Sequence, residues 1–117
     1  MTLKECYEKM GGNYDEVVGR LRTEERIKKF LLMMVADKNY ALLCDSIASG
    51  NIADAFRASH TLKGMCANLS VTQLFESASA LTETLRGKTE FAPEVGDLLA
   101  KVTADYELTV SCIKALD

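Results

Sequence analysis

Residues 51–69 read NIADAFRASHTLKGMCANL, and this stretch decides the fold. Its apolar side chains recur every three or four residues, which is the spacing that places them on one face of an α-helix. Asn51 is a residue type that caps helix starts, and Asp54 three residues later supports such a cap. The stretch therefore predicts an amphipathic helix over Ile52–Leu69. The face predicted to be buried contains Ala55, Ala58, Leu62, Met65 and Leu69.

The only histidine of the chain, His60, lies on the opposite, exposed face of this helix. Because a helix advances roughly 100° per residue, Lys63 and Gly64 lie one turn further along and within about 60° of His60. A cation beside an exposed imidazole suits an anion such as a phosphoryl group. Small residues on that face let the backbone of another protein come close. The residues predicted to dock a partner around His60 are Ala53, Phe56, Arg57 and Ala67. Two alternatives stay open here: the N-terminal segment covers Phe56, and Arg57 is an ordinary solvated residue.

The rest of the 117-residue chain carries similar helical patterns and no strand pattern. A single proline and many Ala, Leu, Glu and Lys residues favour helices throughout. We therefore predict one all-α domain over residues 1–117, an antiparallel up-down-up-down four-helix bundle with a short N-terminal helical extension. The predicted helices are Thr2–Met10, Tyr14–Leu21, a helix capped by Thr23 that ends at the turn around Asp37, Tyr40–Ala48, Ile52–Leu69, a helix between the break at Ser70–Thr72 and Gly87, and a last helix from Pro93 to the C-terminus.

The composition argues against several classes of protein. A formal net charge of −3 disfavours a nucleic-acid-binding protein, which is normally basic. The four cysteines are widely spaced, and one histidine is too few to complete a zinc site with them, so no metal site is predicted. The longest apolar run, Phe30–Ala36, is too short to span a bilayer, and no signal peptide opens the chain. We therefore expect a cytoplasmic monomer with reduced cysteines. The opening methionine and the short length favour a free-standing protein.

The segment Ala58–Leu69, ASHTLKGMCANL, resembles the signature of histidine-containing phosphotransfer (HPt) domains. That signature is a histidine, any residue, Leu-Lys-Gly, and a leucine five residues beyond the glycine. The Gly50-Asn51 helix start before the motif also resembles the family, and the resemblance covers roughly residues 14–117. The matching residues within and after the motif are His60, Leu62, Lys63, Gly64, Leu69, Leu74, Ala78 and Leu81.

The resemblance implies a four-helix bundle that relays phosphoryl groups in two-component signalling. A phosphoryl group would reach His60 from the aspartyl phosphate of a receiver domain and leave to the aspartate of another receiver. His60 would carry it on the ring nitrogen distal to the backbone, Lys63 would steady its charge, and Gly64 would leave room for docking. The partners implied are response-regulator receiver domains and a hybrid histidine kinase. The chain would be a phosphocarrier without a cofactor of its own, and Mg²⁺ would be held by the receiver.

Two positions depart from the family pattern. Ser70 stands where the family usually has a glycine. Either the backbone there is left-handed, which would cost serine about 1 kcal/mol relative to glycine, or the turn differs from that of the family. Family members often use a Gln or Glu on the following helix to hold the second imidazole nitrogen. The aligned residue here is Thr82, with Glu83 adjacent, and either is a candidate to orient His60. Arg86, one turn on, is a weaker candidate.

Two other functions compete with the carrier. The first is a non-phosphorylated, pseudo-HPt binding module that holds a receiver or a histidine kinase. The second is a plain structural bundle, which would tolerate any substitution at His60. The intact His-Thr-Leu-Lys-Gly run at residues 60–64 favours the carrier, because an adaptor has no need of the histidine.

Overall fold

The computed structural model describes residues 1–117 and contains seven α-helices and no strand, which confirms the all-α prediction. No helix is both long enough and apolar enough to cross a lipid bilayer. The helices are α1 (Leu3–Lys9), α2 (Tyr14–Leu21), α3 (Glu24–Ala36), α4 (Asn39–Ser49), α5 (Ile52–Leu69), α6 (Thr72–Leu85) and α7 (Val95–Lys114).

Helix starts follow the predicted capping residues in α3 and α5. The Thr23 side chain accepts a hydrogen bond from the Arg26 N–H, and the Asn51 side chain accepts one from the Asp54 N–H. The prediction for the last helix was wrong by two residues, because α7 begins at Val95 and not at Pro93. The Val95 N–H donates to the Ala92 carbonyl at 3.1 Å, so the proline lies in a turn that leads into the helix.

Helices α4 to α7 pack against their neighbours in the chain, and the contact between α5 and α6 is the most extensive. Phe56 near the start of α5 lies beside Arg86 just after α6, while Lys63 further along α5 pairs with Glu83. Because the partners on α6 come earlier as α5 advances, the two helices form a helical hairpin. An aromatic contact joins α4 to α7, where the Tyr40 ring stacks on another tyrosine with 3.8 Å between ring centroids. That second ring belongs to Tyr106.

The core is one cluster of buried apolar side chains to which every helix contributes. In α5 the predicted face is buried at Ala55, Ala58, Leu62 and Leu69. Met65 was also predicted to be buried, but it is only partly so. It lies at the edge of this face and borders an open pocket between α3 and α5. Cys66, one residue further along the helix, takes the fully buried position.

The N-terminal helices close the end of the α5–α6 hairpin. The Tyr7 hydroxyl, which is buried, donates to the Leu69 carbonyl at 2.7 Å. Helix α6 has no side-chain cap, and the Gln73 N–H in its first turn donates instead to the Gly11 carbonyl at 3.1 Å. Gly11 has a φ of +70°, and a Cβ atom on Gly12 would come within 2.6 Å of the Tyr7 ring. The two glycines therefore allow the close contact between this extension and the hairpin.

Ser70 lies between α5 and α6 in the left-handed conformation, the first of the two alternatives at this position, with a φ of 55° and a ψ of 37°. Its hydroxyl donates to Glu16 Oε1 at 2.7 Å and accepts a hydrogen bond from Arg20 at 3.1 Å. The Arg20 guanidinium also donates to the carbonyls of Ala67 and Asn68 at the end of α5. Two residues of α2 thus bind the turn that carries the serine, which stabilises a conformation that serine alone disfavours.

Candidate functional site

His60 lies on the exposed face of α5. The neighbours Ser59 and Leu62 are buried, so the helix directs the imidazole away from the core. The ring makes no hydrogen bond to another side chain. It stacks on the Phe56 ring one turn earlier, with 5.9 Å between centroids and 16° between ring planes. This apolar contact supports the imidazole and leaves both ring nitrogens available.

Phe56 is half-buried and lies between two polar neighbours. Besides the His60 ring, the Arg86 guanidinium lies 5.1 Å from the centroid of the Phe56 ring, a cation–π distance. Arg86 comes from the residue after α6, so the aromatic side chain joins the two helices at the site. The sequence correctly places Phe56 on the histidine face, but it gives no sign of the stack between the two rings.

The ion cluster beside His60 consists of Lys63, Glu83 and Arg86. Arg86 donates two hydrogen bonds to the Glu83 carboxylate, at 3.1 and 3.2 Å. Lys63 Nζ lies 3.9 Å from Glu83 Oε1. The hydrogen bonds and the charge of Arg86, followed by the charge of Lys63, lower the pKa of Glu83. The same carboxylate raises the pKa of Arg86. The cluster therefore places one anion between two cations at the edge of the histidine face.

The structure corrects one candidate for orienting the imidazole. Thr82 is fully buried, and its hydroxyl donates to the Ala78 carbonyl one turn earlier at 2.7 Å. It therefore faces the core and not His60. Glu83 is the exposed member of the predicted pair, but its oxygens are bound by Arg86 and it makes no hydrogen bond to the imidazole. Arg86, the weaker candidate, contacts both Glu83 and Phe56.

The remaining predicted residues surround His60 on an open surface. Gly64 is exposed, and a Cβ atom built on it would meet nothing within 4 Å. Ala53 and Ala67 are exposed on the same face. Arg57 is exposed and forms an ion pair with Asp54, which lies three residues earlier in α5. Small residues therefore leave open surface beside the imidazole at Ala53, Gly64 and Ala67.

An apolar surface lies on the other side of α5. Met33 and Leu32 of α3 are 56% and 59% exposed. Met33 also borders the open pocket between α3 and α5, together with Met65 and Asn68. The site thus has a charged edge toward α6 and an apolar edge toward α3.

Nothing in this arrangement resembles a metal centre, because no group of three or more His, Cys, Asp or Glu side chains lies close enough to bind an ion. The site offers one exposed imidazole, a nearby lysine and room for a second protein. An imidazole is a nucleophile that can form a covalent intermediate, and a nearby cation favours an anionic group on it.

Comparison with protein families gives a match to the family described as the Hpt domain, over residues 31–109. The matched range begins within α3, ends within α7 and contains His60 and the whole ion cluster. Comparison with curated proteins found no match. Comparison with solved structures also found none. Because the matched range covers more than half of the chain, this protein belongs to the Hpt domain family, whose members act in two-component phosphorelay signalling with receiver domains and kinases.

Proposed function

We propose that this protein is a phosphocarrier that accepts a phosphoryl group on His60 from a receiver-domain aspartate and passes it to a second receiver. The observation that carries the proposal is the placement of His60. Its imidazole is exposed in the middle of α5, beside Lys63 and the open backbone of Gly64. A partner can therefore bring a phosphorylated aspartate directly to the ring.

The transfer needs a lone pair on the ring nitrogen distal to the backbone, Nε2. A neutral imidazole supplies this lone pair. In the tautomer with its proton on Nδ1, Nε2 attacks phosphorus. The new N–P bond forms as the bond from phosphorus to the aspartate oxygen breaks, and the carboxylate leaves with the electron pair. Nδ1 keeps its proton, so the ring carries the positive charge. Transfer to the second receiver reverses these steps.

Positioning and charge are the main requirements of phosphoryl transfer. Phe56 supplies positioning, since its ring stacks on the imidazole and restricts the angles that the ring can adopt. Lys63 supplies charge for the phosphoryl oxygens once its ammonium group leaves Glu83. We place the Mg²⁺ for the reaction on the receiver domain, where it would neutralise the phosphoryl group from the other side.

The docking surface proposed for a receiver surrounds His60. Gly64, Ala53 and Ala67 provide a low surface, and the apolar edge at Met33 extends it toward α3. Apolar residues next to small ones suit a protein partner, because packing excludes water without a steric clash. The same surface would serve a hybrid histidine kinase whose receiver supplies the phosphoryl group.

The bundle on which this surface lies is proposed to be an up-down-up-down arrangement of α4 to α7. The hairpin of α5 and α6 supports it, as does the contact of Tyr40 with Tyr106 that links the first of these helices to the last. A cytoplasmic monomer is the form that we expect to act as the carrier.

The test is phosphoryl transfer from a phosphorylated receiver domain in the presence of Mg²⁺. We expect label on the protein that is labile in acid and stable in alkali, as a phosphoramidate bond is. His60→Gln should remove the label while far-UV circular dichroism stays unchanged, because His60 is exposed. Binding of receivers without label would favour the pseudo-HPt binding module. Absence of both label and binding would favour a structural bundle.

A further inference from the structure

The carboxylate of Glu83 is a feature of the site that phosphoryl transfer does not require. It binds Arg86 through both oxygens and is the acidic partner of Lys63. An anion next to a group that is to receive a phosphoryl dianion raises the energy of the product, because like charges repel. The Glu83 side chain is 57% exposed, so water alone would solvate it. Neither solvation nor the transfer reaction therefore explains why a carboxylate lies beside His60.

We propose that Glu83 is a positioning residue that competes with the phosphoryl group for Lys63 and thereby limits the lifetime of phosphorylated His60. This inference rests on the proposed function. In the unphosphorylated protein, Glu83 holds the lysine ammonium group. In the phosphorylated protein, the ammonium group divides its time between Glu83 and the phosphoryl oxygens. A shorter lifetime suits a carrier that must pass the group on.

The distances show which ion pair can exchange. Lys63 Nζ lies 3.9 Å from Glu83 Oε1, which is longer than a hydrogen bond, so this pair is loose. The pair of Arg86 with Glu83 is bidentate at 3.1 and 3.2 Å, and the guanidinium also lies over the Phe56 ring. Arg86 therefore keeps the carboxylate in place while the lysine moves between its two anionic partners.

The direction of the effect follows from the chemistry of hydrolysis. A water oxygen bonds to phosphorus, the N–P bond breaks, and its electron pair returns to Nε2 of His60, which releases inorganic phosphate. The transition state is loose and resembles metaphosphate. Metaphosphate carries one negative charge, whereas the phosphoryl group of phosphohistidine carries two, so the phosphoryl oxygens are less negative in the transition state. Lys63 at those oxygens stabilises phosphohistidine more than the transition state. Any anion that draws Lys63 away speeds the loss of the group.

The experiment uses the whole protein and phosphoramidate as the phosphoryl donor, so no receiver is needed. His60 Nε2 bonds to phosphorus, the P–N bond of the donor breaks, and ammonia leaves. After removal of the donor, phosphorus NMR follows the decay of phosphohistidine in the wild type, Glu83→Gln, Lys63→Ala and the double variant. Glu76→Gln is the matched control, because Glu76 is an exposed glutamate two turns earlier in α6 without an ion pair.

We expect Glu83→Gln to lengthen the lifetime about two- to fivefold, the range of an exposed ion pair. Glu76→Gln should leave the lifetime unchanged. In the Lys63→Ala background, Glu83→Gln should have a much smaller effect, because only the direct repulsion between the carboxylate and the phosphoryl group remains. High salt should reduce the difference between Glu83→Gln and the wild type. A merely structural role for Glu83 would show neither the dependence on Lys63 nor the dependence on salt.

Three results would overturn the inference: an unchanged lifetime in Glu83→Gln, a shorter lifetime, or the same lengthening when Lys63 is alanine. Failure of the proposed function is a separate result. If the wild type gains no label that His60→Gln lacks, both the carrier role and the role of Glu83 are wrong.

Discussion

The Ser70 hydroxyl donates a 2.7 Å hydrogen bond to Glu16 Oε1, a residue 54 positions earlier in the chain. This contact fixes the left-handed turn between α5 and α6 to helix α2. Glycine would adopt the same backbone without strain, but it would leave Glu16 and Arg20 without the hydroxyl that they share. The serine therefore has the higher backbone strain of the two residues, but its hydrogen bonds join the N-terminal extension to the hairpin that carries His60.

Replacement of this serine separates the two effects. Ser70→Ala keeps the strained backbone and loses both hydrogen bonds, so we expect the free energy of unfolding to fall by about 1–2 kcal/mol. Ser70→Gly should lose less, because relief of the left-handed conformation offsets about 1 kcal/mol. Urea unfolding followed by circular dichroism measures both. Ser111→Ala, at an exposed serine of α7, is the control. If Ser111→Ala and Ser70→Ala lower the free energy of unfolding equally, the hydrogen bonds of Ser70 do not stabilise the fold.

The sequence gives this local conformation as one of two alternatives, and it gives no sign of the contact that supports it. The glycine of the family suggests a left-handed residue at Ser70, and the structure has one. The partners lie on α2, and no periodicity along the chain relates two segments so far apart. Local signals were more informative for α5 itself, where the Asn51 cap and the apolar stripe gave both ends of Ile52–Leu69.

The error at Thr82 has a different origin. The family pattern aligns Thr82 with the residue that holds the imidazole. Thr82, however, lies four residues after Ala78 and three before Leu85, so it shares the apolar stripe that the sequence predicts for the core. Helical periodicity read alone would have buried it, as the structure does. The role of Arg86 was harder to predict, because its contact with Phe56 depends on how α6 is placed against α5.

Gly12 offers a test of the contact between the N-terminal extension and the hairpin. In Gly12→Ala the new Cβ atom would come 2.6 Å from Tyr7 Cδ2 and 2.9 Å from the Ser70 carbonyl oxygen. We expect a loss of about 1–3 kcal/mol in the free energy of unfolding, because a packed interface has to shift. Gly19→Ala is the matched control in the interior of α2, where a Cβ atom would meet nothing within 4 Å. This substitution should raise the free energy of unfolding by about 0.5–1 kcal/mol. Equal effects at the two glycines would disprove the close packing at Gly12.

The ionisation of Asp105 should make the free energy of unfolding depend on pH in the acid range. Burial alone would raise the pKa of this carboxyl group, but hydrogen bonds from Gln73 and Lys101 outweigh burial and lower it. As pH falls below about 4, the unfolded chain takes up the proton first. The unfolded state then binds more protons than the folded state, so stability is present at neutral pH and is lost as pH falls through the lowered pKa.

The matched variants are Asp105→Asn and Asp97→Asn. Asp105→Asn should lose about 1–3 kcal/mol at neutral pH and depend less on pH in the acid range. Asp97 is exposed on α7 without an ion pair, so its variant should keep the wild-type profile. Urea midpoints measured from neutral to acidic pH decide the matter. A wild-type acid slope in Asp105→Asn would show that other carboxyl groups control the transition.

Phe56 should affect the chemistry at His60 more than the stability of the fold. Phe56→Leu keeps an apolar side chain but removes the ring that stacks on the imidazole. Because aromatic pairs contribute about 0.5–1.5 kcal/mol, we expect labelling of His60 by phosphoramidate to slow about two- to tenfold. Phe75→Leu is the control, at a half-buried ring of α6 that does not touch His60. If labelling is unchanged and only receiver affinity falls, Phe56 is a docking residue and not a positioning residue.

Gly64 is the residue for which stability and docking should respond in opposite directions. A glycine inside a helix costs about 0.5–1 kcal/mol relative to alanine, and nothing within 4 Å would obstruct a Cβ atom here. Gly64→Ala should therefore raise the free energy of unfolding by that amount. Gly64→Gln should also fold, but its side chain would project into the space beside His60 and hinder a receiver. Transfer from a phosphorylated receiver should then fall at least about tenfold in Gly64→Gln, whereas labelling by small phosphoramidate should stay near the wild-type rate. Equal losses with both donors would mean that the glutamine disturbs the imidazole itself, and unchanged transfer would mean that the receiver does not approach over Gly64.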